Sequence, residues 1–193
     1  VVSRVFERYE EAKAESNALD FDDLLVKTEE LFRVDDALRE RYRRRLEHIL
    51  VDEFQDTNRA QYELVCHLVS ERRNIFVVGD EDQSIYSWRG ADFRNVQRFR
   101  ESFPDARVYL LEQNYRSTRR ILDAAQAIIS RNAQRTDKVL WTDNEQGEPV
   151  HVYEAYDERE EADYVAGHID RLVARGECTY GECSVMYRTN AQS

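Results

Sequence analysis

Two adjacent carboxylates, Asp52 and Glu53, close the short apolar run Ile49-Leu50-Val51. At a strand tip one carboxylate can hold a hard cation through oxygen while its neighbour polarises a water. Burying carboxylates is costly unless they are paired or bound to metal, so the cluster needs an explanation; capping of the following helix is the plain alternative. A second cluster follows the apolar run at residues 74–78 and reads Gly79-Asp80-Glu81-Asp82-Gln83-Ser84-Ile85-Tyr86-Ser87-Trp88-Arg89-Gly90. If Tyr86 and Trp88 share a face, their rings can stack bases of single-stranded nucleic acid, at about 1 to 3 kcal/mol per base without reading sequence. Arg89 can pair with a phosphate. Packing beneath the loop is the competing use of those rings. The third cluster is Gln113-Asn114-Tyr115-Arg116-Ser117. Tyr115 offers a flat face for a nucleotide base, and Arg116 a fixed cation for charge on a transferring phosphoryl group.

The elements that position these clusters alternate in type. Helical spacing of Val2, Val5, Phe6 and Tyr9 predicts an amphipathic helix to about Ser16, and Asp20, with Asp23 three residues on, caps a second from Phe21 to about Phe32. A very basic third helix is expected over residues 36–47. Its Arg41, Arg43, Arg44 and Arg45 read either as a nucleic-acid patch or, more plainly, as a solvated face. Residues 48–51 and 74–78 read as buried strands of a parallel sheet, joined by a helix that Thr57 or Asn58 caps. A helix over 94–102, a strand over 107–111 and a helix capped by Ser117 follow. Residues 132–147 are polar and turn-like around Lys138 to Trp141. Then come a strand at 150–155, a helix at about 157–174 ending near Gly176, and a strand at 184–187. In such open α/β sheets ligands gather beyond the carboxyl ends of the strands, which is where the first two clusters fall.

Composition sets the frame. The chain has 193 residues, 41% of them hydrophobic and 35% charged, with only 6 Gly and 2 Pro. That is too apolar for a disordered chain and too poor in breakers for a many-turned β-sandwich, so a helix-rich α/β chain is expected. No apolar run approaches a membrane span and no secretory signal pattern opens the chain, so a cytoplasmic location without membrane partners is expected. Cys66, Cys178 and Cys183 are odd in number and lack metal-ligand spacing, which supports neither a disulfide framework nor a zinc site and predicts ordinary partly buried thiols. The net charge of -11 argues superficially against a polyanionic partner. Its distribution weakens that argument: residues 145–182 carry 11 acidic and 3 basic side chains, whereas residues 80–120 carry 7 and 8.

Together the three clusters are specific, and the chain resembles the UvrD/Rep/PcrA group of superfamily 1 DNA helicases. Residues 51–58 (VDEFQDTN) are similar to its motif II, 77–92 (VVGDEDQSIYSWRGAD) to motif III, and 111–117 (LEQNYRS) to motif IV, in matching order and spacing. Residues 20–25 (DFDDLL), 138–144 (KVLWTDN) and 187–193 (YRTNAQS) extend the resemblance over nearly the whole chain. The resemblance implies a RecA-like parallel sheet with flanking helices. Residues 1–17 would be the tail of an inserted helical subdomain, 18–117 the second part of motor domain 1A, and 118–193 the first part of motor domain 2A. It implies ATP and Mg²⁺ as cofactors, with Asp52 and Glu53 at the metal, Glu53 activating the attacking water, and Gln83 sensing the γ-phosphate. Tyr86, Trp88 and Arg89 would form the DNA-stacking surface. Tyr115 would stack on adenine, and Arg116 would act as an arginine finger. Gln55, Asp56, Asp80 and Asp92 also match, without an assigned role.

The implied activity is 3′-to-5′ translocation on single-stranded DNA with unwinding of the duplex, in DNA repair, replication or recombination. One departure matters: no Gly in the chain is followed by Lys, so the phosphate-cradling P-loop is absent. A start inside a helix without a cap, and an end inside a motif, predict a fragment of a longer helicase that does not turn over ATP alone and depends on the rest of its parent chain. The alternatives are a helicase subunit of a recombination nuclease complex, a non-catalytic helicase-like module that binds DNA or protein, and a metal-dependent nuclease.

Overall fold

The computed structural model of the chain describes residues 1–132 and 135–189. Seven α-helices and two strands are assigned among them: α1 (Val2–Glu15), α2 (Phe21–Val34), α3 (Asp36–Arg45), β1 (Ile49–Val51), α4 (Arg59–Leu68), β2 (Ile75–Val77), α5 (Arg94–Ser102), α6 (Arg119–Ile129) and α7 (Glu158–Ala174). Helix starts follow local side-chain chemistry. Asp20 accepts from the Asp23 amide at 2.8 Å while the Asp23 carboxylate accepts from the Asp20 amide at 3.1 Å, which fixes the first turn of α2. Asn58, not Thr57, caps α4 by the same reciprocal arrangement with Gln61. Thr57 is unavailable because its hydroxyl donates to the Phe54 carbonyl at 2.7 Å. Asp157 caps α7, and Gly176 at φ 72° ends it in the left-handed conformation that glycine adopts freely.

The two basic side chains of α3 that fold inward serve neighbouring helix ends. Arg39 donates to the Phe32 carbonyl at 2.7 Å, and Arg43 donates to the His67 carbonyl at 2.7 Å. These cations meet the orphan carbonyls that close α2 and α4, so at Arg43 the basic run is partly structural. The helix stops at Arg45, before the expected Glu47, where Leu46 turns extended toward β1.

β1 and β2 pair in parallel with Ile49 opposite Ile75, Leu50 opposite Phe76 and Val51 opposite Val77. Alternation sends Ile49, Val51, Ile75 and Val77 toward a core of Phe54, Tyr62, Val69, Phe99 and Phe103. Leu50 and Phe76 point the other way and remain exposed. The strands expected to be buried on both faces are therefore covered on one only.

The expected strands at 107–111, 150–155 and 184–187 are not formed. A strand exists through a ladder partner, and no strand is assigned there among the described residues. Within residues 138–141, expected to be turn-like, Trp141 instead forms an isolated bridge. Trp141 bridges Gln113 in parallel, with the Asn114 amide donating to the Trp141 carbonyl at 2.8 Å and the Trp141 amide to the Glu112 carbonyl at 3.0 Å. α6 starts at Arg119, one residue beyond the start that a Ser117 cap sets. Part of the expected 132–147 turn, residues 133 and 134, and the end of the 187–193 motif, residues 190–193, lie outside the described residues.

The chain divides into two compact units: Val1–Asn114 with Ala125–Trp141, and Tyr115–Ala124 with Thr142–Ser193.

Candidate nucleotide and nucleic-acid site

In the first unit the ends of β1 and β2 are knitted together. The Val78 amide donates to the Val51 carbonyl at 2.8 Å, and the Phe54 amide donates to the Val78 carbonyl at 2.9 Å. This places Asp52 and Glu53 beside the loop that leaves β2. Glu53 adopts φ 48°, in the left-handed region that a non-glycine residue rarely occupies. Asp52 Oδ1 accepts from the Glu53 amide at 2.9 Å, and both carboxylates are exposed.

Gln55, only 1% exposed, joins the two clusters. Its Nε2 donates to Glu53 Oε2 at 2.8 Å, and its Oε1 accepts from the Asp80 amide at 2.9 Å. Gly79 makes room for that amide, since a Cβ there would stand 2.7 Å from Gln55 Oε1. Asp80 continues the chain: its Oδ2 accepts from Gln83 Nε2 at 2.8 Å and its Oδ1 from the Lys138 ammonium. Burial pushes the Asp80 carboxyl up, but the Lys138 and Gln83 hydrogen bonds outweigh it and hold the group below its ordinary value. Gln83, expected at the γ-phosphate, is thus tied to Asp80 in this structure.

The loop makes two short 3-10 turns, Glu81–Gln83 and Ser87–Arg89, and Gly90 at φ 88° closes it. Tyr86 and Trp88 do come together, with ring centroids 6.3 Å apart and planes inclined by 52°. The Arg89 guanidinium lies 5.0 Å from the Tyr86 ring centre and 4.5 Å from that of Trp88. Trp88 is 68% exposed, which sets aside packing beneath the loop for that ring. Behind the loop, fully buried Asn95 donates to the Thr57 and Asn58 carbonyls at 2.9 and 3.2 Å. Asp92 holds Arg94 and Arg98 at 2.7 Å each, and Arg94 leads the hydrogen bonds that keep its carboxyl well below the usual range.

Tyr115 and Arg116 belong to the second unit. Both are exposed, and the Tyr115 and Ser117 carbonyls accept from Asn144 Nδ2 at 3.2 and 3.1 Å, which fixes the turn that presents them. Gly147 at φ 73° lies against Thr118, where a Cβ would come within 2.6 Å of three side-chain atoms. Asn144 and Lys138 therefore support one site each, a use that their motif at 138–144 did not announce.

Residues 1–104 match the UvrD/REP helicase N-terminal domain, and residues 109–193 the UvrD-like helicase C-terminal domain. The chain belongs to the UvrD/Rep helicase family. It is 48% identical over its whole length to the ATP-dependent DNA helicase PcrA of Staphylococcus epidermidis and to that of Staphylococcus aureus, covering 26% of each. The chain thus spans about a quarter of the length of the curated relatives it matches. Membership implies a RecA-like α/β fold, of which the parallel pair and its helices are a part. No helix among the described residues is long and apolar enough to cross a membrane.

The donor set suits magnesium. That ion keeps several waters and takes one or two carboxylates plus substrate phosphates, and an exposed Asp52 beside Glu53 at a strand end supplies hard oxygen of that kind. Among the described residues no group of three or more His, Cys, Asp or Glu side chains gathers as a self-sufficient metal cage.

Proposed function

We propose that the chain is the motor segment of an ATP-dependent DNA helicase that translocates 3′ to 5′ on single-stranded DNA and unwinds duplex. Residues 18–117 serve as the second part of motor domain 1A and 118–193 as the first part of 2A, with residues 1–17 from an inserted helical subdomain. The observation that carries the reading is the hydrogen-bonded path from Glu53 through Gln55 and Asp80 to Gln83, which leads to the Tyr86, Trp88 and Arg89 cluster. A hydrolytic carboxylate and a stacking surface joined in this way suit a device that couples phosphate chemistry to strand movement.

In this mechanism Asp52 would hold Mg²⁺, which would supply charge neutralisation at the ATP phosphates. Glu53 accepts the proton of the attacking water, oriented by its hydrogen bond from Gln55. Gln83, bonded to Asp80 in this structure, would exchange that bond for the γ-phosphate and so would couple it to the loop that carries Tyr86 and Trp88. Tyr115 stacks on adenine, and Arg116 stabilises the transferring phosphoryl group. Single-stranded DNA lies on Tyr86 and Trp88, with Arg89 supporting the rings.

The test is Glu53→Gln in the full-length polypeptide. DNA-stimulated ATP hydrolysis should fall about 10²- to 10⁴-fold while single-strand binding is kept. Turnover within a few fold of the parent sinks the assignment, and Mg²⁺-dependent cleavage of labelled single strands points instead to a nuclease. The 193-residue chain, which has no Gly-Lys pair to cradle phosphates, is expected to show no ATP turnover by itself.

A further inference from the structure

Cys178 and Cys183 flank the short turn Tyr180–Glu182 in the second unit. The turn is built by its own side chains. The Thr179 amide and hydroxyl both donate to Glu182 Oε2, at 2.8 and 2.9 Å, and the Glu182 and Cys183 amides donate to the Thr179 and Tyr180 carbonyls at 3.0 and 3.2 Å. Tyr180 ties the turn to α7 by donating to Asp170 Oδ1 at 3.0 Å. The consequence is that the Cys178 and Cys183 Sγ atoms lie 3.6 Å apart, both thiols free and partly buried. Cys66 is a different case: it sits on α4 against the aromatic core, where burial pushes its thiol up.

We propose that Cys178 and Cys183 form an oxidisable dithiol, a site of reversible disulfide modification that fastens the Thr179–Glu182 turn. This inference is independent of the helicase reading. A disulfide needs the sulfurs to approach by a further about 1.5 Å, within reach of side-chain rotation across a turn that already opposes them. The oxidant is a low-molecular-weight disulfide such as glutathione disulfide. One cysteine thiolate attacks a glutathione sulfur, forming the mixed disulfide and releasing one glutathione thiolate. The second cysteine loses its proton to solvent, attacks the first cysteine's Sγ and expels the other glutathione. Two S–H bonds are lost, one S–S bond forms, and two electrons leave on glutathione. Cys178 is held above the ordinary thiol value by its hydrogen bond to Cys183 and then by burial, so exchange should quicken as pH rises.

Closing the bond has a local consequence. Cys183 stands at the edge of an apolar cleft of about 440 Å³ between α7, at Tyr164, His168 and Ile169, and the segment carrying Val185 and Met186. The disulfide anchors the start of that segment. Because Arg175 and Arg188 bracket both sulfurs and no other Lys or Arg intervenes, trypsin releases them in one peptide.

The experiment equilibrates the full-length polypeptide in glutathione redox buffers, quenches with an alkylating agent and maps the 176–188 peptide by mass spectrometry. The expected species is lighter by two hydrogens, unalkylated, and restored by dithiothreitol, while Cys66 stays alkylated. Its equilibrium constant in the native protein should exceed that in concentrated urea by about tenfold or more. Cys183→Ser should leave Cys178 as a mixed disulfide with glutathione, and Cys178→Ser the reverse. Independent alkylation of both thiols throughout, or equal constants in native buffer and urea, overturns the proposal.

Discussion

The contact between Gly79 and Gln55 gives a sharp prediction. A methyl group placed on Gly79 meets Gln55 Oε1 at 2.7 Å, the Gln55 backbone nitrogen at 3.2 Å and Phe54 Cβ at 3.3 Å. The backbone at 79 has no positive φ, so the cost of Gly79→Ala is steric rather than conformational. Neither neighbour has space to retreat, since Gln55 is 1% and Phe54 2% exposed. Overpacking of this kind costs about 1 to 3 kcal/mol, and displacing the Gln55 oxygen also forfeits its bond from the Asp80 amide, about 0.5 to 1.5 kcal/mol more.

Local opening is the quantity to measure. Amide hydrogen exchange over residues 76–84 should accelerate by about tenfold to a thousandfold in Gly79→Ala, with little change in α2 or α3. The cause is separable by a double-mutant cycle. Gln55→Ala removes the oxygen that the new methyl strikes, so adding Gly79→Ala in that background should cost at least about 1 kcal/mol less than it does alone. An acceleration below about threefold, or additive single effects, would refute the view that Gly79 exists to seat Gln55.

Three further outcomes follow from the same geometry. Trp88→Ala should weaken single-strand binding by roughly 5- to 150-fold without altering sequence preference, while Trp88→Phe keeps most of it; equal binding by the alanine variant removes the stacking role. Asp20 is held at about 2 by the Asp23 amide, Lys13 and Tyr9, below its ordinary value. Its contribution to α2 is therefore full above the ordinary carboxylate pH and lost as pH falls toward 2, so acid should fray that helix start, and Asp20→Ala at neutral pH should speed exchange of the first-turn amides. Lys138→Met should raise the Asp80 titration, so the loop loses order at a higher pH than in the parent; an unchanged carboxyl titration by NMR contradicts the ion pair.

Much of this was readable from residue types because it is local. The Asp20 and Asn58 caps, the Gly176 stop and the β1, α4, β2 order depend on neighbours a few positions apart. The strands expected at 107–111, 150–155 and 184–187 were not, because apolar runs announce a preference whereas a ladder requires a partner, and none is assigned to them. The site divides in the same way. Strand-end carboxylates and loop aromatics are visible in sequence, and the left-handed Glu53 is not. Gln55 had no assigned role because its partners lie two residues away on one side and twenty-five on the other. Lys138 is farther still, fifty-eight positions from Asp80. A buried amide whose NH₂ and oxygen must both find partners is a signal that sequence carries only as a glutamine near two carboxylates.

The net charge of -11 argues superficially against a polyanionic partner, but the acidic residues nearest the proposed stacking loop are paired locally. The loop that bears Tyr86 and Trp88 begins with three acidic residues, Asp80, Glu81 and Asp82. Each is answered by a cation from elsewhere in the first unit: Lys138 pairs with Asp80 and reaches Asp82 at 3.4 Å, Arg135 meets Asp82 at 3.0 Å, and Arg100 meets Glu81 at 3.2 Å. The loop therefore has a locally neutral root, with Arg89 over its two rings. If the proposed stacking role of Tyr86 and Trp88 holds, salt should weaken the affinity they contribute far less than it weakens a contact made through a run of phosphates.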